Sequence, residues 1–266
     1  MKISQKTNLS NYSIFFSILL TITMHINCKK ENLSQEETQL LQGDFRPDMH
    51  DDFRVVGKSL SVRNNIYLQS SAMMAFAKMS NAAKRDGIEL YILSGTRVFA
   101  DQKRIWESKF SGKRKVENQD LSQSISDYKE RAKKILEYSS MPGTSRHHWG
   151  TDLDIAFSRE KEGMMLLNKS FETGQGLKTY EWLLLNASKY GFCQPYKENP
   201  IQRSNGKYQN GYLEEKWHWS YKPLATSYLQ KYQKHIQKFK PAGFLGAQEA
   251  SKLYTDYVLN IHQDCN

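Results

Sequence analysis

Two adjacent histidines, His147 and His148, stand in the stretch PGTSRHHWGTDLDI (residues 142–155), just ahead of two aspartates, Asp152 and Asp154. The whole chain holds only seven histidines. Imidazole and carboxylate are the donors of catalytic zinc, which takes three such ligands and keeps one position open. His147 and Asp154 supply two of them if Gly150 lets the chain turn before the strand that DLDIAF predicts, and His218 in EEKWHW could supply the third. His148 could replace His147, and Asp152 could replace Asp154, because alternate residues share one face of a strand. Spacing alone leaves both choices open. Glu215 precedes His218 by three residues, which in a regular strand puts the two on opposite faces. A bend or bulge before Trp217 would bring them together, and Glu215 could then take a proton from an activated water and return it to a leaving amine. The segment SGTR (94–97) adds a fixed charge. Arg97 beside a metal could hold a carboxylate or an oxyanion at a polarised carbonyl, with Gln102 either bracing it or touching the peptide.

Each of these residues also has an inert reading: histidines that cap a loop, an arginine in a surface ion pair, a glutamine on a solvated helix face. Other hydrolytic chemistries find less support. No HExxH helix is present, no serine sits in a nucleophile-elbow sequence, and Cys193 in YGFCQPY has no neighbouring base.

The elements that must position these groups follow from periodicity. Apolar residues recur at helical spacing from Ser70 to Arg85, with Asp86 and Gly87 as a stop. IELYILSGTR reads as a strand ending at Ser94 and Gly95, and a helix carrying Gln102, Ile105, Trp106 and Phe110 follows from about Asp101. Residues 111–124 read as a polar, exposed excursion, and a further helix takes Ile125, Tyr128, Ala132, Ile135 and Leu136 on one face. GLKTYEWLLLNASKYGF predicts a helix capped by Gly191. Helices flank separated strands without a βα repeat, so the expected class is α+β, a small central mixed or antiparallel sheet flanked by helices.

Three segments occur in order: SGTRVFADQ, SRHHWGTDLD and EKWHW. Together they resemble the zinc D-alanyl-D-alanine carboxypeptidase family of VanY-like enzymes, over about residues 60–225. The resemblance selects Ser145, His147, Gly150 and Asp154 in the middle motif, and Glu215, Trp217 and His218 in the last. It implies a zinc D,D-peptidase-like fold and Zn2+ held by His147, Asp154 and His218. Glu215 is then the general base and Arg97 a catalytic contact, while Arg97, Gln102 and Ser145 bind substrate. The implied reaction removes the terminal D-alanine of a peptidoglycan stem peptide. Alternatives are an L,D-carboxypeptidase acting on tetrapeptide stems and a non-enzymatic cell-wall binding lipoprotein with structural zinc. Many relatives carry alanine where this chain has Asp152.

The expected organisation is a signal peptide over 1–27, a polar tether over 28–55, the zinc carboxypeptidase domain over 56–230 and a helical C-terminal extension over 231–266. Lys2 and Lys6 precede the apolar run YSIFFSILLTITMHIN, which ends at Cys28. That arrangement resembles a bacterial lipoprotein signal with Cys28 as the lipidated residue. It implies a membrane-anchored protein of the bacterial cell envelope, facing the periplasm or cell wall. Export leaves Cys193 and Cys265, which could pair as a disulfide. The net charge of +10 suits anionic envelope polymers, and export argues against nucleic acid as a partner.

Overall fold

The structure, a computed structural model, describes residue 1 and residues 32–160, 166–197, 211–253 and 255–266. The expected signal beyond Met1, and Cys28 with it, lies outside the described residues. Chain contacts divide the protein into Met1–Asn32 and Leu33–Asn266, and all the secondary structure below belongs to the second unit. Among the described residues no helix is long and apolar enough to cross a membrane.

Strands β1 (Phe53–Val55) and β2 (Tyr67–Gln69) pair as an antiparallel ribbon. Four more, β3 (Tyr91–Ser94), β4 (Asp152–Ala156), β5 (Phe192–Cys193) and β6 (His218–Tyr221), form a sheet in the order β3-β4-β6-β5. Every pairing in that sheet is antiparallel, so the α+β class is observed in its antiparallel form. The helices around it are α1 (Gln35–Gln42), α2 (Ser70–Arg85), α3 (Phe99–Phe110), α4 (Leu121–Ser124), α5 (Tyr128–Leu136), α6 (Gly174–Asn186) and α7 (Lys222–His235), followed by the single turns α8 (Ala247–Ala250) and α9 (Thr255–Val258).

Strand β4 is buried along its whole length, as a central strand covered on both faces must be. Leu153 and Ile155 point to one face, where they join Phe76 and Met79 of α2, Trp182 and Leu183 of α6, and Trp219 of β6. Asp152 and Asp154 point to the other. The register sets Asp154 opposite His218 and Asp152 opposite Ser220. A slip of one residue would turn His218 into the apolar layer, so the hydrophobic face of the sheet fixes the polar one.

Two expected boundaries are corrected. The segment read as a tether folds onto the domain from Leu33 onward. Ser34 starts α1 with a reciprocal capping box to Glu37, and Gly43 ends it in the left-handed region. Leu40 and Leu41 are buried in the same cluster as Trp106 and Trp149. The polar composition of 28–55 hides this two-residue apolar anchor. At the other end, α7 runs across the boundary drawn at residue 230, and Tyr232, Phe239, Phe244, Tyr257 and Ile261 share that cluster. The tail is therefore part of the domain core. The excursion at 111–124 is likewise pinned by buried Val116 and Leu121, and Ile125 breaks the helix expected there, which restarts after Asp127 caps α5.

Cys193 and Cys265 are joined by a disulfide, with Cα atoms 5.6 Å apart and a sequence separation of 72. It ties β5 to the C-terminal end. A loop of that size is worth about 4 kcal/mol through the entropy of the unfolded chain. A Cys265→Ser protein is accordingly expected to melt well below the wild type, with metal content unchanged, and an equal melting temperature for the two would refute this.

Candidate active site

Three elements meet where β3, β4 and β6 lie side by side. Strand β3 ends at Ser94, paired with Asp154, and the chain leaves through Gly95 to Arg97. A 3₁₀ turn, Arg146–Trp149, carries His147. Ser145 opens that turn, its hydroxyl accepting from the His147 backbone N–H at 3.3 Å. Gly150 closes it with φ 69°, where a side chain would be strained, and an added Cβ would lie 2.3 Å from the Phe53 ring. The third element is the turn at Lys216 and Trp217 before β6. It supplies the bend that the Glu215–His218 pair requires, with the His218 N–H donating to the Glu215 carbonyl at 3.2 Å.

Hydrogen bonds decide which ring nitrogens are free. His147 Nδ1 lies 2.8 Å from the Gly95 carbonyl. A carbonyl only accepts, so Nδ1 carries the proton and Nε2 the lone pair. That Nε2 is 3.4 Å from Asp154 Oδ1. His218 Nε2 is 2.9 Å from Asp152 Oδ2, which directs Nδ1 toward Asp154 Oδ1 at 3.6 Å and Glu215 Oε2 at 3.0 Å. One donor atom from each of His147, Asp154 and His218 lies within 4.8 Å of the others. All three side chains are buried, and His147 Nε2 and Asp154 Oδ1 have no hydrogen-bond partner. Buried polar atoms left in this way need an explanation, and a cation held by two imidazoles and a carboxylate provides one.

The electrostatics agree. Burial works against the Asp154 carboxylate, yet the His147, Arg97 and His218 charges outweigh it and hold its pKa at about 2. Burial, with Arg97 adding to it and Asp154 opposing it, lowers the His147 pKa. At His218 burial opposes a charge, but hydrogen bonds to Asp152 and Glu215 and the charges of both lift its pKa to about 9. The spot between these groups favours positive charge.

His148, the rival of His147, is fully occupied. Its Nδ1 meets the Arg97 carbonyl at 2.6 Å and its Nε2 accepts from the Gly143 N–H at 3.1 Å. It braces the loop. Asp152, the rival of Asp154, lies one step behind the site. It accepts from Arg146 Nε at 2.8 Å, Ser220 Oγ at 2.7 Å and Thr151 Oγ1 at 2.9 Å. Arg146 also lies over the Trp149 ring, 4.7 Å from its centroid. Burial opposes the charge on Asp152, but Arg146 and His218 overcome it and hold the carboxyl far below the ordinary range.

Arg97 donates through Nη1 to Gln102 Oε1 at 3.1 Å and through Nη2 to Asp154 Oδ2 at 3.4 Å. Gln102 is fully buried, and its amide nitrogen donates to the Ser140 carbonyl at 2.6 Å. Both ends of that amide are engaged within the protein, one of them on Arg97. Ser145, 1% exposed, likewise orders the His147 turn. Glu214 diverges from Glu215 and meets the Tyr180 hydroxyl at 3.3 Å and Lys216 Nζ at 3.8 Å.

The donor cluster opens onto a cleft of about 460 Å³ bordered by Arg97, Lys109, Asp154, Asn168, Glu215 and Trp217. Sequence reasoning missed Arg146, Ser220 and Lys109. Ser220 could have been found from the two-residue period of β6 after His218, and Lys109 from its place seven residues after Gln102 on one helix. Nothing in its spacing marks Arg146.

The profile of the family described as VanY, D-alanyl-D-alanine carboxypeptidase, matches residues 65–224, more than half of the chain. Among curated relatives, YodJ of Bacillus subtilis (strain 168), whose name assigns it provisionally as a carboxypeptidase, is 31% identical over 158 residues, covering 58% of this chain and 46% of that protein. A D-alanyl-D-alanine carboxypeptidase of Enterococcus faecium is 23% identical over 229 residues, 86% of this chain and 58% of that protein. The chain thus spans about half the length of these relatives. A structure of VanYB in complex with D-alanine-D-alanine aligns with TM-score 0.47 and 18% identity, over 72% of this chain and 92% of that one.

Proposed function

Because the chain belongs to the VanY D-alanyl-D-alanine carboxypeptidase family, and His147, Asp154 and His218 form its zinc site, we propose that it removes the terminal D-alanine from peptidoglycan stem peptides. The observation that carries this reading is the Glu215 carboxylate 3.0 Å from His218 Nδ1, at the edge of a cleft and beside three buried metal donors. Bound in that donor set, zinc supplies Lewis acidity that polarises a carbonyl and acidifies water.

The chain's own groups do the rest. Glu215 accepts the proton of the attacking water and passes it to the departing amine. Arg97, fixed by Gln102 and already angled to Asp154, meets the negative charge that grows on the carbonyl oxygen. Ser145 and Gln102 act through the groups they hold. Trp217 forms part of the cleft wall. No covalent intermediate with the protein is required.

The N-terminal pattern supports export and lipidation at Cys28, which would place the enzyme at the bacterial envelope on the periplasmic or cell-wall side. The net charge of +10 supports contact with anionic envelope polymers.

Purified protein incubated with pentapeptide and tetrapeptide stems, with products read by mass, tests the proposal. Loss of one D-alanine from the pentapeptide, abolished by chelation and restored by zinc, is expected. Cleavage of the tetrapeptide alone would make it an L,D-carboxypeptidase, and no mass change in either would leave a zinc-stabilised wall-binding protein.

A further inference from the structure

Helix α3 carries an ionisable group that the mechanism above does not use. Lys109 is 7% exposed, and among the described residues its ammonium has no carboxylate partner. It donates to Ser139 Oγ at 2.6 Å and lies 6.0 Å from the centre of the Tyr138 ring. Neither neutral neighbour replaces a counter-ion, and a buried ammonium without one is costly enough to be rare. Two acids of the same cleft, Glu117 and Glu137, are already engaged, because Lys134 Nζ holds them at 2.7 Å and 2.8 Å, and Glu215 acts on Lys109 only through its charge.

The position of the group points to its use. Lys109 borders the cleft that contains Arg97, Asp154 and Glu215. It stands two helical turns after Gln102 on the same face of α3. The two side chains end on adjacent residues, Gln102 on the Ser140 carbonyl and Lys109 on the Ser139 hydroxyl. The ammonium therefore lines the same cleft as Arg97 and Asp154, beside the segment that anchors Gln102. On the solvent side Arg114 and Lys115 border the same cleft and continue the positive charge outward.

We propose that Lys109 is a substrate-binding residue whose counter-ion is a carboxylate of the peptide that enters the cleft. This rests on the carboxypeptidase reading and deepens it. Burial, reinforced by Arg114 and Arg97 and opposed by Glu215, lowers the Lys109 pKa to about 7. The ammonium form is thus complete in the free protein only below that pH, and a bound carboxylate restores it above.

The test compares the wild type with Lys109→Met, which keeps the length of the side chain and removes the charge. Two substrates are used: N-acetyl-D-alanyl-D-alanine, whose only carboxylate is terminal, and a longer peptide with an acidic side chain one residue before the scissile bond. A charge-assisted contact of this kind is expected to raise KM about 10- to 100-fold on its loss, with kcat nearly unchanged. A rise on both substrates assigns the terminal carboxylate, and a rise on the longer peptide alone assigns the side-chain one. The wild-type KM should climb above pH 7, whereas the variant lacks that limb. Glu215, Arg97, Arg114 and Tyr138 surround position 109 in both proteins, so the difference between the profiles isolates Lys109. The melting temperature of the variant should not fall, as it would if Lys109 were merely structural. Unchanged KM for both peptides in the variant, with the wild type turning them over, overturns the proposal. Should the wild type cleave neither, the carboxypeptidase reading fails by itself. Calorimetric binding of the same peptides to the two proteins then decides Lys109, weaker binding to the variant supporting it and equal binding overturning it.

Discussion

A Glu215→Gln protein is expected to keep its fold and its zinc and to lose about three orders of magnitude in kcat, within the range of about 10²- to 10⁴-fold that a positioned proton-transfer group contributes. Glutamine preserves the volume of the side chain and removes only its ability to take a proton. Glu215 lies on the turn before β6, so its exchange leaves the Asp154–His218 register untouched. It is also not among the three metal donors. The loss should therefore fall on kcat and leave KM close to the wild-type value, as befits a group that acts in the transition state. Zinc content by mass spectrometry and single-turnover hydrolysis of a pentapeptide stem are the measurements. Activity within a few-fold of wild type in a zinc-loaded variant would remove Glu215 from its role and direct attention to Arg97.

The site was legible in the sequence to different depths. Strands and helices near it could be read because their apolar periodicity is strong: β4, α2 and α6 lie where the pattern puts them. The choice between Asp152 and Asp154 could not be read from spacing. Both lie on one face of β4, and only the opposed residues of β6 distinguish them, Ser220 for one and His218 for the other. That distinction depends on a pairing between segments 66 residues apart, which local pattern does not encode. His147 and His148 are separated by a related fact. In the short 3₁₀ turn adjacent side chains diverge, and one meets Gly95 and Asp154 while the other meets Arg97 and Gly143. The N-terminal segment was misread for a compositional reason. Its polar average conceals Leu40 and Leu41, and a helix of eight residues gives little room for a period to show.

Asp152→Asn is expected to do the second largest damage, and to do it in two separable ways. The first is to stability. Arg146 is 1% exposed and stacked on Trp149, with Asp152 as its ion-pair partner. Neutralising that partner strands a buried guanidinium, which costs about 3–5 kcal/mol and should appear as a markedly lower melting temperature. The second is to the metal. Asp152 Oδ2 holds His218 by Nε2 and so turns Nδ1 toward Asp154 and Glu215, where the metal donors meet. Loss of such an orienting carboxylate lowers metal affinity by about 10- to 100-fold, measurable by competition with a chromophoric chelator. A double exchange, Arg146→Met with Asp152→Ala, separates the two effects. Without a stranded charge the melting temperature should recover much of the loss, because an apolar pair can replace a buried ion pair. Zinc affinity should stay low, because nothing then holds the His218 ring by its Nε2–H. If affinity and stability recover together, Asp152 serves only to neutralise Arg146 and has no part in holding the metal.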